Sequence, residues 1–257
     1  MPITRHRQEA IRADRWKFFD ILHRDHALCN PTDPAKVDEM LGLLRLPPGS
    51  SAVDIASGKG EVALRLAERY EVSVRAVDLS PYAVREAQAR ASGRRLHGSV
   101  DFALGEGSTF PVAPASQDLA MCIGASWIFG GHRGTLRALA AMVRPRAFVL
   151  VGEPFWRTTP SEAYLEAIGH GEFASHAENV AAGQAVDLTA LYALESSQHD
   201  WDRYEGLQWQ AAERYAAEHP EDADVPELLT VCRHRRDIYL REGRAAMGWA
   251  LYLFQRR

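Results

Sequence analysis

Cysteine is scarce in this chain: Cys29, Cys122 and Cys232 are the three among 257 residues. An odd, widely spaced set excludes a disulfide scaffold and lacks the paired spacing of a zinc site. Reduced thiols in a cytoplasmic protein are the expectation, with no metal. No apolar run is long enough to span a bilayer. The opening stretch MPITRHRQEAIRADRW is too charged to hold the apolar segment of a secretory leader. Charge of one sign is lacking as well. A net charge of −4 gives no global electrostatic case for nucleic acid or for a membrane surface. Internal repeats and low-complexity tracts are missing too. What remains is a globular chain long enough for one large α/β domain, as monomer or homodimer.

The apolar pattern alternates short strand-like runs with amphipathic helical ones. Residues 5–24 and 35–44 read as helices separated by the polar loop HRDHALCNPTDP, and Pro47-Pro48-Gly49 breaks the chain. Strands are expected near Val53–Ile55, Val72–Val77, Val100–Ala103, Asp118–Ile123, Ala147–Gly152, Leu188–Ser196 and Gly248–Phe254. Helices are expected over 61–70, after Ser80-Pro81, over 135–143, 201–219 and 226–243. Ser80 has the chemistry of an N-cap, and Pro81 that of a first helical turn.

The stretch Ala52–Leu66, AVDIASGKGEVALRL, carries the most information. A buried strand runs into a turn with Gly58 and Gly60, where the backbone can bend sharply and approach a ligand. A second apolar run, EVSVRAVD, ends on Asp78, whose carboxylate can accept both hydroxyls of a ribose. Gly58-Lys-Gly60-Glu-Val-Ala63 also satisfies the loose dinucleotide pattern, so an NAD-dependent oxidoreductase is one reading. Asp54 and Glu61 would flank that loop with negative charge. Such an environment disfavours a pyrophosphate and suits a sulfonium or an ammonium.

The sequence D-x-A-x-G-x-G-E followed by V-x-V-D-L-S resembles motif I and the second-strand acid of class I S-adenosylmethionine (SAM)-dependent methyltransferases. That family usually has glycine where Ala56 stands, which suggests a slightly shifted turn, and Ser57 takes a place often held by cysteine. The blocks GASWIFGGH (124–132), GEPFWR (152–157) and WDRYE (201–205), with an HxxHxxxNP loop, resemble a group of bacterial members without an assigned substrate. The resemblance implies a Rossmann-like α/β fold with a seven-stranded, mostly parallel sheet in the order 3-2-1-4-5-7-6. It implies one domain over 1–257, with an N-terminal helical cap (1–46) and a helical lid inserted before the last strand (199–245). It also implies SAM as cofactor, with S-adenosylhomocysteine as product. Glu106 would contact the adenine amino group beside Gly107, and Cys122, Ile123 and Gly124 would run beneath the methionine part. Asp54, Ala56, Ser57, Gly58, Gly60, Asp78 and Leu79 complete the expected cofactor shell, with Phe110 as a further apolar candidate.

Methyl transfer to a small-molecule N or O nucleophile requires positioning, exclusion of water and, for a protonated acceptor, a base. Glu153, His132 and Tyr204 are the candidate catalytic residues. Trp127, Trp156, Trp201, His26 and Asn30 are the candidate acceptor contacts, because they follow strand ends or lie in the cap and lid. Trp201 and Glu205 share one helix face by their spacing of four, with Tyr204 adjacent. Structural alternatives stand beside each: core packing for the tryptophans, helix capping for His132, a bridge from Glu153 to Arg157, and solvation for loop histidines such as His23. No [DNS]-P-P-[YFW] block follows the fourth strand, which disfavours DNA amino-methylation, and Arg94-Arg95 and Arg233–Arg236 read as solvated helix faces. A SAM-dependent reaction other than methyl transfer, and a silent binding module, stay open at this stage.

Overall fold

The computed structural model describes residues 15–169 and 173–257. Residues 5–14 of the expected first helix lie outside them, and its remainder is α1 (Arg15–Leu22). In α2 (Pro34–Gly42), Asp33 accepts the Ala35 N–H at 2.8 Å and Pro34 takes the first helical position, where its missing N–H costs nothing. The chain then alternates: β1 (Ser50–Ile55), α3 (Glu61–Arg69), β2 (Val72–Asp78), α4 (Pro81–Ser92), β3 (Ser99–Leu104), β4 (Gln117–Ile123), α5 (His132–Met142) and β5 (Val143–Trp156). The Ser80 hydroxyl accepts the Ala83 N–H at 3.2 Å, the cap the sequence predicts. After α6 (Glu162–Ile168) and α7 (His176–Ala181) come β6 (Leu188–Glu195), α8 (Gln198–Glu218), α9 (Val225–Ile238) and β7 (Met247–Arg256).

The sheet order is β3-β2-β1-β4-β5-β7-β6. β1 to β5 are parallel, and β7 runs antiparallel to both β5 and β6. Strands buried on both faces need apolar cover on both, and helices supply it. On one face Val53, Ile55 and Val149 pack with Leu136 and Leu139 of α5 and with Tyr252 and Phe254 of β7. On the other, Ala52, Val74 and Leu119 pack with Met40 and Leu41 of α2 and with Val62 and Leu66 of α3. Each large side chain so buried contributes about 1.5–3 kcal/mol.

Three elements differ from the sequence expectation. β5 continues to Trp156, because its antiparallel ladder with β7 runs on through Glu153↔Ala250 to Trp156↔Met247. Glu153 therefore lies within the strand and not after it. α5 begins at His132, so this histidine is the first helical residue. The helix expected to end at 243 gives way to a π turn over Tyr239–Gly243.

The N-terminal and inserted helices meet each other. Phe18, Ile21 and Leu22 of α1 pack against Ala212 of α8 and Leu228 and Cys232 of α9. Lys17 also pairs with Asp222 at 2.7 Å and Asp224 at 2.6 Å. Ion pairs this exposed stabilise little, so apolar contact dominates the joint. Among the described residues, no helix is long and apolar enough to cross a membrane.

Candidate active site

The turn after β1 is built from left-handed backbone. Ala56, Gly58 and Gly60 have φ of 58°, 55° and 73°. Alanine pays roughly 1–2 kcal/mol for that conformation, yet Ala56 adopts it, so it does not push the turn into right-handed backbone. Gly60 is fixed twice over. A Cβ there would lie 2.5 Å from the Phe102 ring, in addition to the unfavourable φ. Asp78 braces the turn: its carboxylate accepts the Gly58 N–H and the Ser80 N–H, each at 2.8 Å. Beside it, Leu79 is left 40% exposed at the sheet edge.

Asp54 is buried behind this turn, and no described residue donates a hydrogen bond to it. Burial, aided by the nearby Asp78 charge, raises its pKa to about 8. Burial also raises Asp78, against the opposing pull of the Ser80, Gly58 and Leu79 N–H groups. A cation beside this pair would restore both carboxylates to their ionised form. Glu61 does not contribute, contrary to the sequence reading. It is buried and paired with Arg65 at 2.7 Å, Arg94 at 2.6 Å and Arg90 at 3.4 Å. Arg94 accordingly anchors a buried acid and is not part of a solvated face.

Lys59, between the two glycines, was not recognised from sequence. It is buried, and its ammonium donates to the His23 carbonyl at 2.7 Å while pairing with Glu86 at 2.8 Å. Arg90 donates to the His26 carbonyl at 3.1 Å. The loop after α1 is thus tied down onto the glycine turn, and the Cys29 sulfur stands 3.8 Å from where a Gly58 Cβ would be. A lysine in the turn and an acid at one turn's depth in α4 were the available signals.

The remaining expected cofactor residues are placed as follows. Glu106 is exposed and accepts the Ser108 N–H and hydroxyl, both at 3.2 Å, which caps a short 3-10 turn over Gly107–Thr109. Gly107 is buried, with room for no Cβ, since one would lie 2.7 Å from Ile55. The Cys122 side chain points into the core, where burial pushes its thiol pKa up, so only its backbone can face a ligand. Ile123 packs toward the other face of the sheet. Gly124, with φ 86°, approaches the Trp249 ring so closely that a Cβ would lie 3.0 Å away. Phe110 sits under the Arg75 guanidinium at 4.5 Å and packs on the core.

The expected acceptor residues do not meet in one cavity. The strand alternation of β5 sends Glu153 and Phe155 to one face and Trp156 to the other. Glu153 is buried, and burial raises its pKa to about 7 against the Ser126 hydroxyl, which donates to it at 2.9 Å. The alternative bridge to Arg157 does not form, because Arg157 pairs with Glu195. His132 lies against Tyr252 with ring centroids 5.6 Å apart. Its Nε2 meets the Asn179 carbonyl at 3.0 Å. A carbonyl only accepts, so Nε2 carries the proton and the buried Nδ1 lone pair has no partner. Burial lowers its pKa and keeps the ring neutral. Trp127, on the turn after β4, is 59% exposed.

On the opposite face Trp156, Trp201 and Tyr204 join Tyr164, Tyr239 and Trp249 in one aromatic cluster. Tyr204 is held by His23: the His23 Nδ1–H donates to the Phe19 carbonyl, leaving Nε2 to accept the Tyr204 hydroxyl at 2.9 Å. His23, expected to be solvated, is buried, and burial takes its pKa down to about 3. His26 meets the Tyr204 carbonyl at 2.9 Å through Nε2, while its buried Nδ1 has no partner. The Asn30 side-chain oxygen is likewise buried without a donor, next to Gly124.

The comparisons with known proteins agree with this edge. A family model described as a methyltransferase domain matches residues 52–146. A SAM-dependent methyltransferase from Thiobacillus denitrificans, solved in complex with S-adenosylhomocysteine, is 30% identical. It aligns over 95% of this chain and 99% of its own, with a TM-score of 0.86. The Escherichia coli (strain K12) protein YjhP is 29% identical over 92% of this chain and 96% of its own. The 27-O-demethylrifamycin SV methyltransferase of Amycolatopsis mediterranei (strain S699) is 26% identical over 70% of this chain and 71% of its own. With the sheet order and the glycine turn, these matches settle the class, and the dinucleotide reading falls with its missing second parallel half. The chain belongs to the class I SAM-dependent methyltransferases, and its cofactor is SAM.

Proposed function

We propose that this enzyme methylates an oxygen or nitrogen nucleophile on a small molecule. The observation that carries this reading is Glu153, a carboxyl buried near the carboxyl edge of the sheet with its pKa raised to about 7. A base poised near neutrality suits a hydroxyl or protonated amine and is superfluous for a thiolate. The name of the Amycolatopsis relative, an enzyme of an O-demethylated substrate, supports the oxygen side of that choice.

The residues present fit the cofactor on physical grounds. Asp54 is a buried carboxylate without a donor, suited to the ammonium of the methionine part, and Asp78 retains lone pairs for ribose hydroxyls. Ala56, Ser57, Gly58 and Gly60 would offer backbone, Leu79 an apolar wall, and Glu106, Gly107 and the 122–124 backbone the adenine and methionine ends. When bound, SAM supplies an electrophilic methyl group on a sulfonium. The protein then has to align the acceptor and keep water out. Glu153 takes the acceptor's proton, with Ser126 orienting the carboxylate. The neutral His132 offers a second proton acceptor at Nδ1, and Tyr204, fixed by His23, positions the loop after α1 and the lid helix α8 over the acceptor.

Release of S-adenosylhomocysteine across a panel of hydroxyl- and amine-bearing small molecules tests the reading. With an accepted substrate, Glu153→Gln should lower kcat by about a hundredfold or more and abolish the rise in rate through pH 7. A variant with unchanged kcat and pH profile contradicts a role for Glu153 as base.

A further inference from the structure

One acid in the lid, Glu205, forms no salt bridge among the described residues. Trp201, Glu205 and Trp209 succeed one another at a spacing of four on α8, so they form a line along one face. Trp201 stacks on Tyr239, with ring centroids 6.2 Å apart and planes within 22°, and Trp209 meets the same ring at 6.1 Å. Tyr164 and Trp156 extend the cluster at 6.0 Å from each other. The Glu205 carboxyl acts on Tyr164, Tyr204 and Tyr239 of this cluster. The Trp209 indole N–H acts on it and partly opposes the effect of burial, while the buried Trp201 N–H has no acceptor. Arg235 is the cation that acts on Glu205, and its own side chain belongs to the exposed surface of α9. Burial accordingly raises the Glu205 pKa to about 7.

The same cluster reaches the cofactor edge. Ile123 packs against it, and its Trp249 ring abuts Gly124, beside the unpartnered Asn30 oxygen. A carboxylate bracketed by indole and phenol rings has the composition of an ammonium site, where ring faces and an anion act together in a desolvated space. A purely apolar acceptor would leave the Glu205 carboxyl without a counter-charge.

We propose that Trp201, Glu205 and Trp209, with Tyr239 and Tyr164, bind an ammonium group of the methyl acceptor, which is therefore a compact amine protonated at neutral pH. This rests on the reading of the enzyme as a small-molecule methyltransferase. The amine is the anchor, and the nucleophile lies at the opposite end of the acceptor, toward Gly124. Trp156 and Trp201 then select the acceptor.

The test uses the full chain saturated with S-adenosylhomocysteine and follows tryptophan fluorescence and calorimetry. Benzylamine, phenethylamine and tyramine are titrated against their neutral counterparts benzyl alcohol, 2-phenylethanol and tyrosol. At least one amine should bind roughly tenfold to thirtyfold more tightly than its alcohol. Glu205→Gln should erase that preference while S-adenosylhomocysteine still binds. Equal binding of all amines and alcohols to the unmodified protein overturns the inference, whether or not the variant folds. So does an amine preference that survives in Glu205→Gln. Failure of the unmodified protein to bind S-adenosylhomocysteine is a different result and removes the methyltransferase reading itself.

Discussion

The two halves of the site are built by different means. The glycine turn after β1 is a short-range construction, in which a dozen consecutive residues and one acid from β2 set the shape through backbone dihedrals and N–H donors. The aromatic cluster under α8 is long-range: Trp156, Tyr164, Trp201, Tyr239 and Trp249 come from five separate stretches and meet through side-chain packing. Between them lies the loop after α1, held to the turn by Lys59 and to the lid by the His23–Tyr204 hydrogen bond. Backbone geometry suits the cofactor, and side-chain packing suits the acceptor that we propose for the cluster. The first half should be intolerant of small substitutions, and the second should respond to them in selectivity.

The largest expected effect is at Gly60. In Gly60→Ala the new methyl group would overlap the Phe102 ring in a left-handed residue. A loss of about 2–5 kcal/mol in urea unfolding is expected, with cofactor binding lost as well. A stability within 1 kcal/mol of the unmodified protein would mean that the turn is softer than its geometry indicates.

Asp54 gives the next effect, and it depends on pH. Its pKa is near 3.8 unfolded and about 8 folded. Between those values the folded state holds a proton that the unfolded state has lost. Raising the pH across that window therefore removes stability from the unliganded protein. Asp54→Asn should lack this loss, so the variant gains on the unmodified protein as pH rises from 5 to 8 in thermal melts. Parallel melting curves across that range would place Asp54 in a wetter or better-paired setting. Tyr204→Phe probes the junction of the two halves and should cost about 1–3 kcal/mol, because the buried His23 Nε2 loses its donor. An unchanged midpoint would show that the loop is held by Lys59 and Arg90 alone.

How much of this was legible in the sequence follows the same division. Motif I, Asp78, the Ser80 cap and the alternation of strands and helices are local signals, and they recur in the structure with boundaries shifted by few residues. Glu61 was misjudged because its partners Arg90, on α4, and Arg94, just beyond its end, are distant in sequence, and no local pattern links them to it. Glu153 and Trp156 looked like neighbours, but the unforeseen length of β5 put them on opposite faces of the sheet. His23 and Lys59 were invisible for the same reason: each is defined by a contact across the fold, 181 and 36 residues away in sequence respectively.

The central claim is that SAM is held at the joined edge of β1 and β2. Titration calorimetry with S-adenosylhomocysteine tests it most directly, on the unmodified protein and on Asp78→Ala. Saturable one-site binding is expected, weakened by about a hundredfold in Asp78→Ala, since both the proposed ribose contact and the brace on Gly58 are removed. Binding of equal strength in the variant, or none to the unmodified protein, would contradict it.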